Sequence, residues 1–96
     1  MKYYIAGKIT GLEDYKSFFN AVEKELKDQG HLVMNPAVLP EGFPWESYMP
    51  ICYAMIDACD AVYMLDNWKE SAGARLEYDY SVDKGKLISM KCPVNI

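Results

Sequence analysis

The chain has 96 residues, enough for one domain with one modest hydrophobic core and too few for two. Ten basic side chains against fourteen acidic ones give a net charge of -4, which argues against a nucleic-acid polymer as the partner. No apolar run approaches the length of a membrane span, and the first residues lack the apolar region of a signal peptide. We therefore expect one cytoplasmic domain over residues 1–96 that does not enter a membrane.

The cysteines and the single histidine do not form a metal-binding pattern. Cys52, Cys59 and Cys92 contain no CxxC pairing, and His31 has no second imidazole to join it. Cys52 and Cys59 stand seven residues apart in one helical pattern, which favours two small buried side chains on one helix face. The sequence therefore predicts neither a metal site nor a cofactor.

Strand-like and helix-like patterns alternate in the first third of the chain. A short β-rich strand at residues 2–6 ends in a loop with two glycines, and a helical pattern begins at Asp14 and is stopped by Gly30. The apolar stripe of this helix is expected to be core and contains Phe18, Phe19, Val22 and Leu26. A second short strand is predicted at residues 31–35.

The alternation continues after a long proline-rich loop that ends near residue 46. The predicted elements are a helix at 47–58, a nearly continuous apolar strand at 60–66, a helix at 71–84 and a strand at 86–90. Pro50 is tolerable in the first of these helices because it falls in the first turn, and Gly85 closes the second. Four strands and three helices in this order predict an open parallel α/β sheet with helices on both faces.

Three unusual loops are predicted to meet at one edge of this sheet, where such folds bind ligands beyond the carboxyl ends of their strands. In the first loop, the glycines leave backbone amides open to an anion and Lys8 adds a positive charge. A plain strand-to-helix turn is an equal alternative. The five residues of this candidate binding loop are Gly7, Lys8, Ile9, Thr10 and Gly11.

The segment SAGARLE carries the clearest catalytic candidate. Ser71 can cap the helix, Gly73 keeps its first turn bare, and Glu77 lies one turn further on the same face. Glu77 could serve as an ionised nucleophile or, if burial raises its pKa, as a general base. The alternative is a solvated helix glutamate paired with Arg75 or with a lysine.

Other polar and aromatic residues have two interpretations each. Tyr3 and Tyr4 alternate across the first strand, so that one faces the core and the other can reach the cleft. Trp45 and Trp68 are predicted in loops at the ligand edge, where a base or a sugar could stack on their indoles or the indoles could cover the core. Asp57 and Asp60 bracket a helix-to-strand junction, where turn hydrogen bonding is the default.

Four segments of the chain together resemble a known family: YIAGKITG, GH-x-V-x-NPA, CDAVYMLDNW and S-x-G-A-R-x-E. They resemble the nucleoside 2-deoxyribosyltransferase-like superfamily and, more closely, its short phage- and bacteria-associated members of the DUF4406 type. The resemblance covers nearly the whole chain. It implies a flavodoxin-like or Rossmann-like fold and a nucleoside or nucleotide as the small-molecule ligand.

The resemblance also implies roles for particular residues. Glu77 would attack the anomeric carbon of the sugar, and Tyr4 would orient that glutamate. Ser71 and Gly73 match positions that contact the nucleotide, and the loop at 7–11 matches the substrate-binding first loop. Several relatives carry an aspartate where this chain has Cys52, and a thiol does not replace a carboxylate. The candidates to take over that role are Asp57, Asp60 and Asp66.

The sequence thus predicts cleavage or transfer of the N-glycosidic bond of a nucleoside or nucleoside 5′-monophosphate, with Glu77, Tyr4 and Asp60 as catalytic residues. Asp66 and Trp68 join the substrate-binding set. Two alternatives use the same fold: a nucleotide-binding protein without turnover, and a phage or host interaction protein with an apolar face around residues 49–55. The excess of apolar residues on that helix favours a homodimer or a higher homo-oligomer.

Overall fold

A four-stranded parallel sheet forms the centre of the protein in this computed structural model, which describes residues 1–90. The strands are β1 (Lys2–Ala6), β2 (Leu32–Met34), β3 (Ala61–Met64) and β4 (Leu87–Met90). Their order across the sheet is β2-β1-β3-β4, and all three pairings are parallel. The prediction of an open parallel α/β sheet is confirmed.

The described helices are α1 (Tyr15–Asp28), α2 (Trp45–Asp57) and α3 (Ala72–Asp83). Short 3₁₀ turns at Pro36–Val38 and Trp68–Glu70 follow β2 and β3. Within residues 1–90, no helix has both the length and the apolar character needed to cross a bilayer.

Side-chain alternation along β1 divides the core between the two faces of the sheet. Ile5 packs with the α1 stripe on one face, whereas Tyr4 packs with α2 residues on the other. The α1 stripe consists of Phe19, Val22 and Leu26, all buried. The helices therefore cover both faces, as the sequence pattern predicts, and the α2 side of β1 carries the polar hydroxyl of Tyr4.

Three sequence-based expectations about packing are wrong. Phe18 is 47% exposed, because the next residue, Phe19, points about 100° around the helix and already fills the core position. Helix α2 begins at Trp45, so that Pro50 lies inside the helix beyond its first turn. Cys59 follows the end of α2, and it is therefore not on one helix face with Cys52, although both are buried. The remaining cysteine, Cys92, lies outside the described residues.

The loops that follow β1 and β3 are fastened to each other. The Leu65 amide donates to the Ala6 carbonyl at 2.8 Å, and the Lys8 amide donates to Asn67 Oδ1 at 3.0 Å. A Cβ atom at Gly7 would come within 2.6 Å of Leu65 Cδ1 and within 2.9 Å of Leu65 Cβ. Gly7 is therefore required for the close approach of these two loops.

We expect Gly7→Ala to lower the free energy of unfolding by about 1 to 3 kcal/mol, because the added methyl group overlaps the buried Leu65 side chain. Gly73→Ala is the matched control, since its Cβ would meet Met49 Sδ at an ordinary 3.6 Å. Urea denaturation of both variants measures the difference. Equal stabilities would contradict the packing argument.

Candidate functional site

Three buried side chains from three different elements meet between the sheet and the helices. Tyr4 lies in the middle of β1, Cys52 on the inner side of α2 and Glu77 in the second turn of α3. Glu77 is only 7% exposed, Cys52 4% and Tyr4 1%. The Tyr4 hydroxyl and the Cys52 thiol both hydrogen-bond the Glu77 side chain, so its carboxylate is buried with two donors.

Burial changes the protonation of this cluster. Desolvation raises the pKa of Glu77 to about 7, although the hydrogen bonds from Tyr4 and Cys52 act in the opposite direction by stabilising the charged form. Burial and the neighbouring Glu77 charge raise the pKa of Cys52 to about 12 and the pKa of Tyr4 well above its usual value. At neutral pH, the two donors therefore keep their protons, while the carboxyl group is poised between its two forms.

The first turn of α3 forms one wall of the site. Ser71 has an extended backbone and its Oγ accepts a hydrogen bond from the Ala74 amide at 3.1 Å, which makes it the helix N-cap. Neither backbone strain nor packing demands a glycine at position 73, because a methyl group there would touch Met49 Sδ at 3.6 Å without overlap. The missing side chain instead leaves open space beside the helix N-terminus.

That space belongs to a cleft of about 310 Å³, with Glu77 and Cys52 as its most buried polar walls. Its other walls come from three segments: the loop after β1, the end of the loop before α2 together with the first half of α2, and the residues around the start of α3. They are Gly7, Ile9, Thr10, Phe43, Trp45, Tyr48, Met49, Glu70, Ser71, Ala72, Gly73 and Ala74. The cleft therefore lies at the carboxyl ends of β1 and β3, the expected ligand edge.

Most of the predicted site residues are brought together here. Tyr4 contacts Glu77 directly. Five of the nine predicted substrate-binding residues line the cleft that Glu77 lines. These five are Gly7, Ile9, Thr10, Ser71 and Gly73. Of the two tryptophans predicted at the ligand edge, Trp45 lines the cleft and is 42% exposed.

Four predicted binding residues lie outside the lining of this cleft. Lys8 Nζ lies 3.6 Å from a carboxylate oxygen of Glu70, and it is Glu70, not Lys8, that lines the cleft. Gly11 and Asp66 are exposed. Trp68 stacks on Tyr78 with ring centroids 4.7 Å apart and packs against the core, which corresponds to the covering role rather than the ligand-stacking role.

Asp60 is not brought to Glu77. It immediately precedes β3 and accepts a hydrogen bond from the Lys2 amide at 3.0 Å, which places it at the amino edge of the sheet, opposite the cleft. Asp57, at the end of α2, accepts a hydrogen bond from the Tyr80 hydroxyl at 2.8 Å. Both aspartates thus have structural partners, in keeping with the turn role that their positions favour.

The sequence interpretation missed Phe43, Tyr48 and Glu70 as lining residues. Phe43 and Tyr48 are held together by a hydrogen bond from the Phe43 amide to the Tyr48 hydroxyl at 3.1 Å. The unusual length and proline content of the loop before α2 was the available signal, because long ordered loops often border sites. That signal located the loop but not its contact with the helix.

A comparison with protein families gives one match, over residues 1–90, to a family described as Domain of unknown function (DUF4406). The chain belongs to this family. No curated protein matches it. The DUF4406 match includes all four strands and the Tyr4, Cys52 and Glu77 cluster, and the family description assigns no activity. The chemistry of this DUF4406 chain is therefore argued from its own geometry.

Burial of the Glu77 carboxyl group predicts a pH-dependent cost to stability. The pKa of Glu77 rises from 4.5 in the unfolded chain to about 7 in the folded one, which means that the folded state binds this proton more tightly. The free energy of unfolding therefore falls as the pH rises from below 5 to above 7. We expect Glu77→Gln to remove this dependence. Its stability relative to the wild type should increase by roughly 2 to 3 kcal/mol between pH 5 and pH 8.

Urea denaturation of both proteins at the two pH values measures this difference. Glu25→Gln, at an exposed position of α1, is the matched control and should show little change. A stability difference for Glu77→Gln that stays constant between pH 5 and pH 8 would contradict a raised pKa of Glu77.

Proposed function

We propose that this DUF4406 chain cleaves or transfers the N-glycosidic bond of a nucleoside or nucleoside 5′-monophosphate, with Glu77 as the nucleophile. The observation that carries the proposal is the position of Glu77, which lines an open cleft while its carboxylate accepts hydrogen bonds from Tyr4 and Cys52. The resemblance of the S-x-G-A-R-x-E segment to a glycosyl-transfer motif supports the same assignment. Positioned carboxylates are the usual nucleophiles of such reactions.

The proposed reaction has two displacements. The ionised carboxylate of Glu77 attacks the anomeric carbon, and the bonding electrons of the C–N bond leave with the base, which takes a proton from solvent in the open part of the cleft. Water, or a second base, then attacks the same carbon, the bond from that carbon to the Glu77 oxygen breaks to regenerate the carboxylate, and the attacking group loses a proton to solvent. The sugar in this scheme lies beside the bare turn at Gly73, where a Cβ atom would occupy part of the space.

The surroundings of Glu77 suit this chemistry. A carboxylate with a pKa of about 7 is substantially ionised at neutral pH, and its low-dielectric surroundings strengthen its attraction for the positive charge that develops on the sugar. The Tyr4 hydroxyl and the Cys52 thiol fix its orientation, because both remain protonated donors. A fixed carboxylate loses little orientational freedom when the sugar reacts.

A second candidate function is nucleotide binding without turnover. Besides Glu77, the carboxylate that lines the cleft is Glu70, whose side chain is 68% exposed and paired with Lys8. Cys52 occupies a position where several members of the resembling superfamily carry an aspartate, and a thiol with a pKa of about 12 is a poor proton donor. Tight nucleoside binding with no release of base would favour this alternative.

Glu77→Gln should lower the rate of base release by at least about a thousandfold, because the amide keeps the shape of the side chain and removes the nucleophile. The measurement is chromatographic detection of free base from a panel of nucleosides and their 5′-monophosphates. Asp60→Asn is the control, since Asp60 lies at the opposite edge of the sheet, and it should retain wild-type rates. Full activity of Glu77→Gln would refute the nucleophile assignment.

The Tyr4 hydroxyl should set the pH dependence of the reaction. Its hydrogen bond lowers the pKa of Glu77, so Tyr4→Phe should raise that pKa and move the acid limb of the rate profile to higher pH. The wild-type rate itself should rise with pH through about 7, because only the ionised carboxylate attacks. Profiles of kcat for both proteins between pH 5 and pH 9 measure the shift. A limb that moves to lower pH contradicts the donor role.

A further inference from the structure

A second cavity, of about 210 Å³, adjoins the cleft beneath the loop between β2 and α2. The two cavities share five lining residues: Ile9, Thr10, Phe43, Tyr48 and Cys52. Glu77 lines only the first of the two cavities, whereas its hydrogen-bond partner Cys52 lines both. The second cavity therefore lies beside the first, with the Cys52 side chain between its space and the Glu77 carboxylate.

The walls of this second cavity suit a flat, uncharged ring. They include the aromatic rings of Tyr15 and Phe43 and the aliphatic side chains of Ile9 and Leu39. The charged lining residue Glu41 is already neutralised, because Lys16 Nζ lies 2.7 Å from its carboxylate oxygen. An ionic ligand group would gain little here, whereas a ring would bury apolar surface.

We propose that the second cavity holds the nucleobase of the substrate, with Phe43 as the ring on which the base stacks. The proposal rests on the proposed function. When the anomeric carbon lies at Glu77, the base bonded to that carbon must extend into neighbouring space, and the second cavity supplies it beside Cys52. Phe43 lines both cavities while its side chain is 58% exposed, so a stacked base would cover apolar surface that the protein leaves uncovered.

Tyr48 is the positioning residue for this wall. Its hydroxyl accepts a hydrogen bond from the Phe43 amide at 3.1 Å and donates one to the Pro40 carbonyl at 2.7 Å. The two aromatic rings meet edge to face, with centroids 6.0 Å apart. Between these anchors the chain turns at Gly42, whose φ of 100° favours glycine. Helix α2 thereby fixes the loop that presents Phe43.

The binding test uses the full chain with Glu77→Gln, so that bound ligand is not consumed. Calorimetric titration compares 2′-deoxynucleosides and ribonucleosides with methyl 2-deoxyriboside, which lacks a base. Adding Phe43→Ala should weaken nucleoside binding roughly tenfold and weaken binding of the baseless sugar much less. Phe18→Ala is the matched control, because Phe18 is a similarly exposed phenylalanine on α1 that lines neither cavity.

Two further variants test the cavity and its positioning residue. Leu39→Trp should fill the second cavity and exclude nucleosides while the baseless sugar still binds. Tyr48→Phe, in the otherwise wild-type protein, should raise KM for base release several-fold with kcat nearly unchanged, because it frees the loop without touching Glu77. A circular dichroism spectrum confirms that each variant is folded.

The outcomes separate this inference from the proposed function. Nucleoside affinities that are unaffected by both Phe43→Ala and Leu39→Trp would overturn the nucleobase assignment, even if Glu77-dependent base release is observed. Phe43-dependent nucleoside binding without any base release in the wild type would support the assignment and count against catalysis. Failure of every nucleoside to bind would overturn the assignment as well.

Discussion

The burial of one carboxyl group against two protonated donors is the interaction on which the site depends. Glu77 is in contact with Tyr4 from the sheet and Cys52 from the neighbouring helix, so three elements must be placed correctly to satisfy a single side chain. Removing a carboxylate from water opposes folding when the group must ionise. The hydrogen bonds offset part of that cost, and the remainder appears as a pKa of about 7.

The order of the strands explains why this cluster opens into a cleft. Strands β1 and β3 are neighbours in space, and the chain leaves them towards opposite faces, to α1 after β1 and to α3 after β3. Such a divergence leaves a crevice between the two exit loops. The contact of Gly7 with Leu65 and the bond from Lys8 to Asn67 hold those loops together at its base. The crevice is therefore a property of the topology, and its rigidity comes from a few local contacts.

Sequence patterns predicted the features that depend on periodicity. The alternation of strands and helices predicted the parallel sheet, and the four-residue spacing from Gly73 to Glu77 placed the glutamate on the face of α3 that meets the cleft. Features that depend on a particular tertiary contact could not be obtained this way. Phe18 and Phe19 are equally apolar, and only the packing of α1 decides which is buried.

The same limit applies to the polar residues of the site. Cys52 is a plausible small core residue in the sequence, and its hydrogen bond with Glu77 exists only because α2 and α3 pack side by side. Trp68 stacks on Tyr78, which lies ten positions further along the chain and outside any local pattern, instead of at the cleft. Lys8 likewise turns to Glu70, whose position depends on the 3₁₀ turn after β3.

The buried cluster around Glu77 and the loop that Tyr48 holds come from different parts of the sequence. The Glu77 carboxylate on α3 is contacted from β1 and α2, whereas much of the second cavity comes from the loop that begins at Pro36. Lengthening a loop costs folding free energy only slowly, so this segment can change its length and side chains between its anchors with little penalty. The lining of the second cavity can therefore vary in size and chemistry while the buried surroundings of Glu77 stay the same.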